Sequence, residues 1–148
     1  MNDYPLWWNA TLTIFHKWED KLTRVVTWYP HTVDQCFWKY AGNKVVVGDV
    51  TINSEQVVCR IPEDALYLEP YQWAELSPED KENYFTIAPG DIIVKGKVEE
   101  TIDEYTSGKR STDFLKKYKA LQGCMQVGRV AIDTGEGLCC EHYYITGE

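Results

Sequence analysis

The sequence has no apolar run near the roughly eighteen residues that a membrane-spanning helix needs. Its N-terminus, MNDYPLWWNA, carries an acidic residue where a secretory signal would carry basic ones. Neither a spanning helix nor a cleaved leader is expected, and no membrane partner. Cysteine is sparse and odd in number, five in 148 residues, which without a secretory signal points to reduced thiols in a soluble intracellular protein. Basic residues are also in short supply: 15 Lys and Arg stand against 23 Asp and Glu, a formal charge of −8. That balance opposes non-specific attachment to phosphate backbones and excludes a conventional basic DNA-binding module. It leaves room for a surface past which DNA slides without sticking.

Chemical signatures are missing as well. The glycine-rich stretch Thr134-Gly135-Glu136-Gly137 lacks the strand-to-helix continuation of a phosphate-cradling loop. Cys124, Cys139, Cys140 and His142 come nearest to a zinc set. However, adjacent cysteines on a strand point to opposite faces, so Cys139 and Cys140 would not converge on one tetrahedral ion. Glu99, Glu100, Asp103 and Glu104 lack the glycine-pinned spacing of a divalent-cation loop and read as a solvated strand end. His16, His31 and His142 have no nucleophile signature around them. No catalytic residue, cofactor or metal is expected, and no enzymatic activity.

What the chain does have is a heavy load of β-branched and aromatic residues between turns. At this length one domain spanning 1–148 is expected, able to bury roughly 70% of the surface of the unfolded chain. Its fold reads as mainly β, a small barrel or sandwich of six to nine strands with an added C-terminal hairpin and one short helix. The core draws on about 10–62 and 90–146, with a long connection at 63–89. Ala10 to Lys17 alternates as a half-buried strand with Leu12 and Ile14 inward, and Glu19-Asp20-Lys21 turns it into a return strand that Pro30 ends. Val33 to Pro62 reads as a three-strand meander with turns at Ala41-Gly42-Asn43 and Asn53-Ser54-Glu55, stopped by Pro62. In the connection, Ser77-Pro78-Glu79-Asp80 signals a short helix through about Tyr84. A strand is expected at Ile92 to Val98 with a bend at Gly96. Ser111 reads as the N-cap of a helix over 112–122 that puts Phe114, Leu115, Tyr118 and Leu121 on one face and ends at Gly123. Met125 to Asp133 and Leu138 to Thr146 read as the last hairpin.

Taken together, YPLWWNATLTIFHKWED, TWYPHTVDQCFWKY, VVCRIP, APGDIIVKGKV and EYTSGKRSTDFLKKYKALQGCM resemble small phage or prophage virion-morphogenesis proteins of Gram-positive-type hosts. The layout is also similar to head-completion proteins of long-tailed phages. The resemblance implies a barrel that forms a homo-oligomeric ring below the portal, joins head to tail and carries a loop closing the DNA channel. It implies other virion proteins as partners, portal or adaptor or tail subunits, and assembly into the virion in the bacterial cytoplasm. A tail or baseplate protein, or a non-virion regulator or small enzyme acting on a host component, are the alternatives. Six Trp and ten Tyr exceed what a small barrel core readily encloses, so some are expected on surfaces that partners cover. Trp7, Trp8, Tyr71, Trp73 and Tyr84 are the candidates. Trp7 and Trp8 have two readings, closing one end of the core or docking as an arm on a neighbouring subunit.

Overall fold

Six antiparallel strands close into a barrel in the order β1-β2-β3-β6-β5-β4. A computed structural model of the chain describes residues 8–48, 50–133 and 142–148, with backbone alone for 41–47, 50–55 and 133. The strands are β1 Ala10–Glu19, β2 Val26–Val47, β3 Val50–Pro62, β4 Ile92–Lys95, β5 Cys124–Asp133 and β6 His142–Gly147. Among the described residues three helices lie between them: α1 Pro70–Ala74 and α2 Pro78–Asn83 in the connection, and α3 Ser111–Leu121 after β4. The expected barrel is therefore present, built from early and late strands with the connection between them.

Two long strands replace the expected meander. β2 runs unbroken for 22 residues and pairs first with β1, from Val26 to Cys36, then with β3, from Phe37 to Val47. The supposed turns at Ala41-Gly42-Asn43 and Asn53-Ser54-Glu55 are strand, and they face each other, Gly42 against Glu55 and Asn43 against Ser54. The reversal happens instead between Val47 and Val50, where Gly48 takes φ +63°. Pro30 does not end its strand either. It sits opposite Phe15 in a half of β2 whose ladder is with β1 alone, so a residue without an N–H can face the open edge. Between the two halves Gln35 adopts φ +59°, and Leu12 pairs with Val33 while Ala10 pairs with Cys36. That extra residue is a bulge, which bends β2 away from β1 and toward β3.

The inner core gathers Leu12, Ile14, Val33, Cys59, Ile61, Ile93, Met125 and Ile145 from the strands, together with Phe85 and Ile87 from the connection. A second core covers the outside, where Phe15, Trp28, Ile92, Val94 and Cys124 meet Val98, Ile102, Phe114 and Tyr118. β1 is consequently buried on both faces from Leu12 to His16, not half-buried as its alternation implied. Thr13 is tolerated there because its hydroxyl donates to Gly96 O at 2.7 Å and accepts from Val98 N at 3.0 Å.

α3 starts one residue earlier than its sequence signal. Arg110 holds the N-cap position without a side-chain bond, and Ser111 is helical. Glu104 does the capping from the preceding loop, accepting Ser111 N at 3.0 Å and Trp28 Nε1 at 3.1 Å. Glu100 accepts Tyr118 Oη at 2.7 Å and Lys117 Nζ at 2.8 Å. These acids fasten α3 to the barrel, a role that a merely solvated strand end would not have. Phe114 and Tyr118 are buried as expected, whereas Leu121 is 65% exposed. Gly123 ends the helix at φ +99°, its N–H donating to Tyr118 O.

Candidate functional site

The connection is held to the barrel by an aromatic clamp. Pro70 opens α1, and Glu69 and Gln72 close a capping box around its first turn. This short helix delivers Trp73 to the barrel wall. The ring meets His16, Trp18 and Tyr29 edge-on at 4.5, 5.6 and 5.1 Å, and its Nε1 donates to Tyr84 O at 3.1 Å. Ser77 caps α2 by accepting Asp80 N, as its sequence signal predicts, and α2 presents Lys81. Lys81 is only 6% exposed; its ammonium lies 4.8 Å from the Trp18 ring and 5.2 Å from that of Trp73, and donates to the carbonyls of Ala74 and Leu76. Burial lowers its pKa, with Asp20 acting in the opposite sense.

Beneath the clamp His16 Nδ1 meets Asp91 Oδ2 at 2.7 Å, and Asp91 also accepts Ala88 N at 2.8 Å and Lys17 N at 3.0 Å. A histidine–aspartate pair could orient a general base. Here the residues around it are the backbone of Lys17 and Ala88 and the edge of Trp73, and the space beside it is closed by packing. The arrangement braces β1, the end of the connection and the start of β4 against one another. Sequence reading weighed His16 only as a histidine without a nucleophile signature and did not pair it with Asp91, which lies 75 positions away and shares no motif with it.

Of the five interface candidates, Trp73 is 1% exposed and Trp8 6%, so both are spent inside the chain's own fold. Trp8 rests edge-on against His142 at 5.0 Å and tilted against Phe37 at 6.4 Å, which is the end-closing reading of this residue. Tyr71 at 69% and Tyr84 at 36% do offer surface. Trp7 lies outside the described residues, as do Cys139, Cys140 and the Thr134-Gly135-Glu136-Gly137 turn. Cys124 is buried in the outer core, and His142 Nε2 is 2.6 Å from an Arg60 guanidinium nitrogen. Among the described residues no group of three or more His, Cys, Asp or Glu could hold a metal, and no helix is long and apolar enough to cross a membrane. Burial pushes the Cys36 and Cys124 thiols up to about 12, and that of Cys59 well above its ordinary value. Such thiols stay protonated near neutral pH.

Among the described residues two further features stand out on the barrel. Past Val57, where β3 stops pairing with β6, β2 and β3 continue together from Ala41 opposite Gln56 to Val47 opposite Val50. This two-stranded ribbon would reach roughly 20 Å beyond the shared rungs if it ran straight. The second feature is a slot of about 510 Å³, walled by Tyr67, Pro70, Ile87 and Pro89 of the connection and by 128–132 of β5.

The sequence pattern of DUF6751, a family of unknown function, matches residues 7–148. The chain belongs to that family. No curated protein and no solved structure matches it. The matched span covers all six strands of the barrel, the clamp, the ribbon and the slot, so each of these lies within the DUF6751 region of the chain.

One titration in this DUF6751 chain has a clear sign. His31 stacks on Phe85 at 4.1 Å, and burial holds its pKa below the ordinary 6.5, with Asp64 partly offsetting it. The unfolded chain then binds the proton more tightly than the folded one. Stability from the neutral ring is complete above about pH 6.5 and is lost as pH falls from there through the folded value. His31→Phe keeps a ring on Phe85 and removes the titration. Urea unfolding between pH 8 and pH 5 should show the variant gaining on the parent as the medium acidifies, and a constant difference would refute this.

Proposed function

We propose that the chain is a structural subunit of a tailed-phage virion, placed at the head–tail connection in a ring around the DNA channel. The observation that carries this reading is the closed barrel continuing into a paired ribbon at 41–56. A barrel leaves few strand edges with which to aggregate, so it can be set beside copies of itself and meet them through chosen surfaces. The ribbon gives each copy an arm that reaches past its own core. The ribbon is the element to face the lumen, because the connection at 63–89 gives Trp73, Phe85 and Ile87 to the subunit's interior. Each copy adds −8 formal charges to the ring, which discourages DNA from adhering as it passes.

Mass spectrometry of purified particles tests the placement: the protein should be present in fixed stoichiometry, and its absence from particles but presence in infected cells would reject it. Deleting 44–53 tests the ribbon. The deletion joins Asn43 to Ser54, residues that already face each other, and so preserves the pairing of Phe37 to Gly42 with Glu55 to Arg60. Electron micrographs should then show filled heads that leak DNA or lack tails. Normal DNA-filled, tailed particles would defeat the assignment.

A further inference from the structure

The charge of the chain is unevenly placed. Between 63 and 89 the only cation is Lys81, and it is buried, while α1, α2 and the link between them show Glu75, Glu79, Asp80 and Glu82 to solvent. The turn after β1 lies beside α2, where Asp20 acts electrostatically on Lys81, and it adds no net charge: Glu19 and Asp20 offset Lys21 and Arg24. Exposed apolar side chains stand among these acids, Tyr71 and Tyr84 on the connection and Leu22 and Val25 on the turn.

The opposite end of the barrel carries lysines. Trp73 docks the connection on His16 and Trp18, near the end of β1, whereas Lys95 pairs with Leu12 and Gly96 N donates to Thr11 O near its start. The step from Leu12 to Trp18 is roughly 20 Å along an extended strand. α3 finishes at this second level, since Gly123 O accepts Lys95 N at 2.9 Å and Gln122 Nε2 donates to Lys95 O at 2.8 Å. Lys95 and Lys97 therefore lie at the same end as Lys116 and Lys119 of the second half of α3, all four exposed, together with exposed Leu121 and with Tyr40, whose hydroxyl reaches Gly123. Among the described residues the acids close by are Glu99, Glu100 and Asp34; Glu100 already accepts from Lys117 and Tyr118, and Asp34 from Thr11.

We propose that these two ends dock on each other between copies of the chain, the acidic end of one on the lysine end of the next. Each end combines exposed charge of one sign with exposed apolar groups, and the signs are opposite, so a second copy is a complementary partner. Like ends repel, which selects a head-to-tail contact over a two-fold dimer through either patch. A contact made by two different patches repeats from copy to copy, and the rotation between copies decides whether it closes into a ring. As the contact between neighbours in the ring proposed above, it rests on that reading.

Sedimentation equilibrium of the purified full chain tests the contact. The parent should self-associate. Glu75→Lys, Glu79→Lys, Glu82→Lys in one variant, and Lys116→Glu, Lys119→Glu in another, should each lower the association constant at least ~10-fold. The first variant is the more telling, because it brings the chain closer to neutrality and a general charge repulsion would make it associate better. An equimolar mixture of the two should associate again, since each then meets an end of opposite sign, and so should the chain carrying all five changes. The milder Lys116→Gln, Lys119→Gln variant should weaken association in the same direction. A parent that stays monomeric, reversed variants that associate like the parent, or a mixture of folded variants that fails to recover would each overturn the contact. A protein found in particles at fixed stoichiometry but without this association would refute the contact and leave the placement standing, and association by a protein absent from particles would do the reverse.

Discussion

Trp73→Ala is expected to cost about 4 kcal/mol of folding stability, within the range for emptying a buried tryptophan site. The side chain is 1% exposed, packs edge-on against three rings and supplies the indole bond to Tyr84 O. Alanine would leave a cavity beside His16 and an unpaired carbonyl. It would also take one of two aromatic faces from the buried Lys81 ammonium. For a chain of this length the loss should lower Tm by roughly 10 °C or more. Tyr71→Ala, two positions earlier and 69% exposed, should change stability by no more than about 0.5 kcal/mol. Urea unfolding of the two variants separates a core residue from a surface one. If Trp73→Ala were to cost under about 1 kcal/mol while impairing assembly, Trp73 would be an interface residue after all.

This contrast marks where sequence reading succeeds and where it fails. Signals that act over three or four residues were legible: Ser77 ahead of Pro78 caps α2, and Gly123 stops α3. Pairing over longer distances was not. Gly42-Asn43 and Ser54-Glu55 both look like turns in isolation, yet each is the other's strand partner, and the tight reversal beside Gly48 outcompetes them. α1 escaped notice because five residues are too few to show a helical period, and its box of Glu69 and Gln72 does not begin with Ser or Thr. Alternation in β1 announced one buried face, but the second face is covered by Phe114 and Tyr118, roughly a hundred residues downstream, and nothing local records that.

The aromatics divide between the interior and the surface for a related reason. Sixteen Trp and Tyr looked too many for one barrel core. Among the described residues, however, two cores and the clamp enclose Trp28, Trp73, Tyr118 and Tyr143, and Trp8 is buried against Phe37 and His142, while Tyr71 and Tyr84 stay at the surface. The connection at 63–89, which sequence reading took as a stretch without strand pattern, contributes Trp73, Phe85 and Ile87 to the interior.

Asp91→Ala is expected to be comparably damaging, at about 4 kcal/mol, because one carboxylate satisfies three donors in the interior: His16 Nδ1, Lys17 N and Ala88 N. Asp91 is 1% exposed, so water cannot readily take its place. Two of the three donors are backbone, on β1 and at the end of the connection, and replacing His16 leaves them untouched. His16→Ala should therefore cost less than Asp91→Ala, its main penalty being the void beside Trp73. The double variant should be less destabilised than the two single losses combined by about 2 kcal/mol, since the bond they share can be lost only once. Additivity to within about 0.5 kcal/mol would mean that the pair is not coupled, and that the brace rests on the backbone bonds alone. Exchange of the Ala88 amide supplies a second readout. It should quicken in Asp91→Ala and stay close to the parent in His16→Ala, because only the first change removes the acceptor that pins the connection to the barrel.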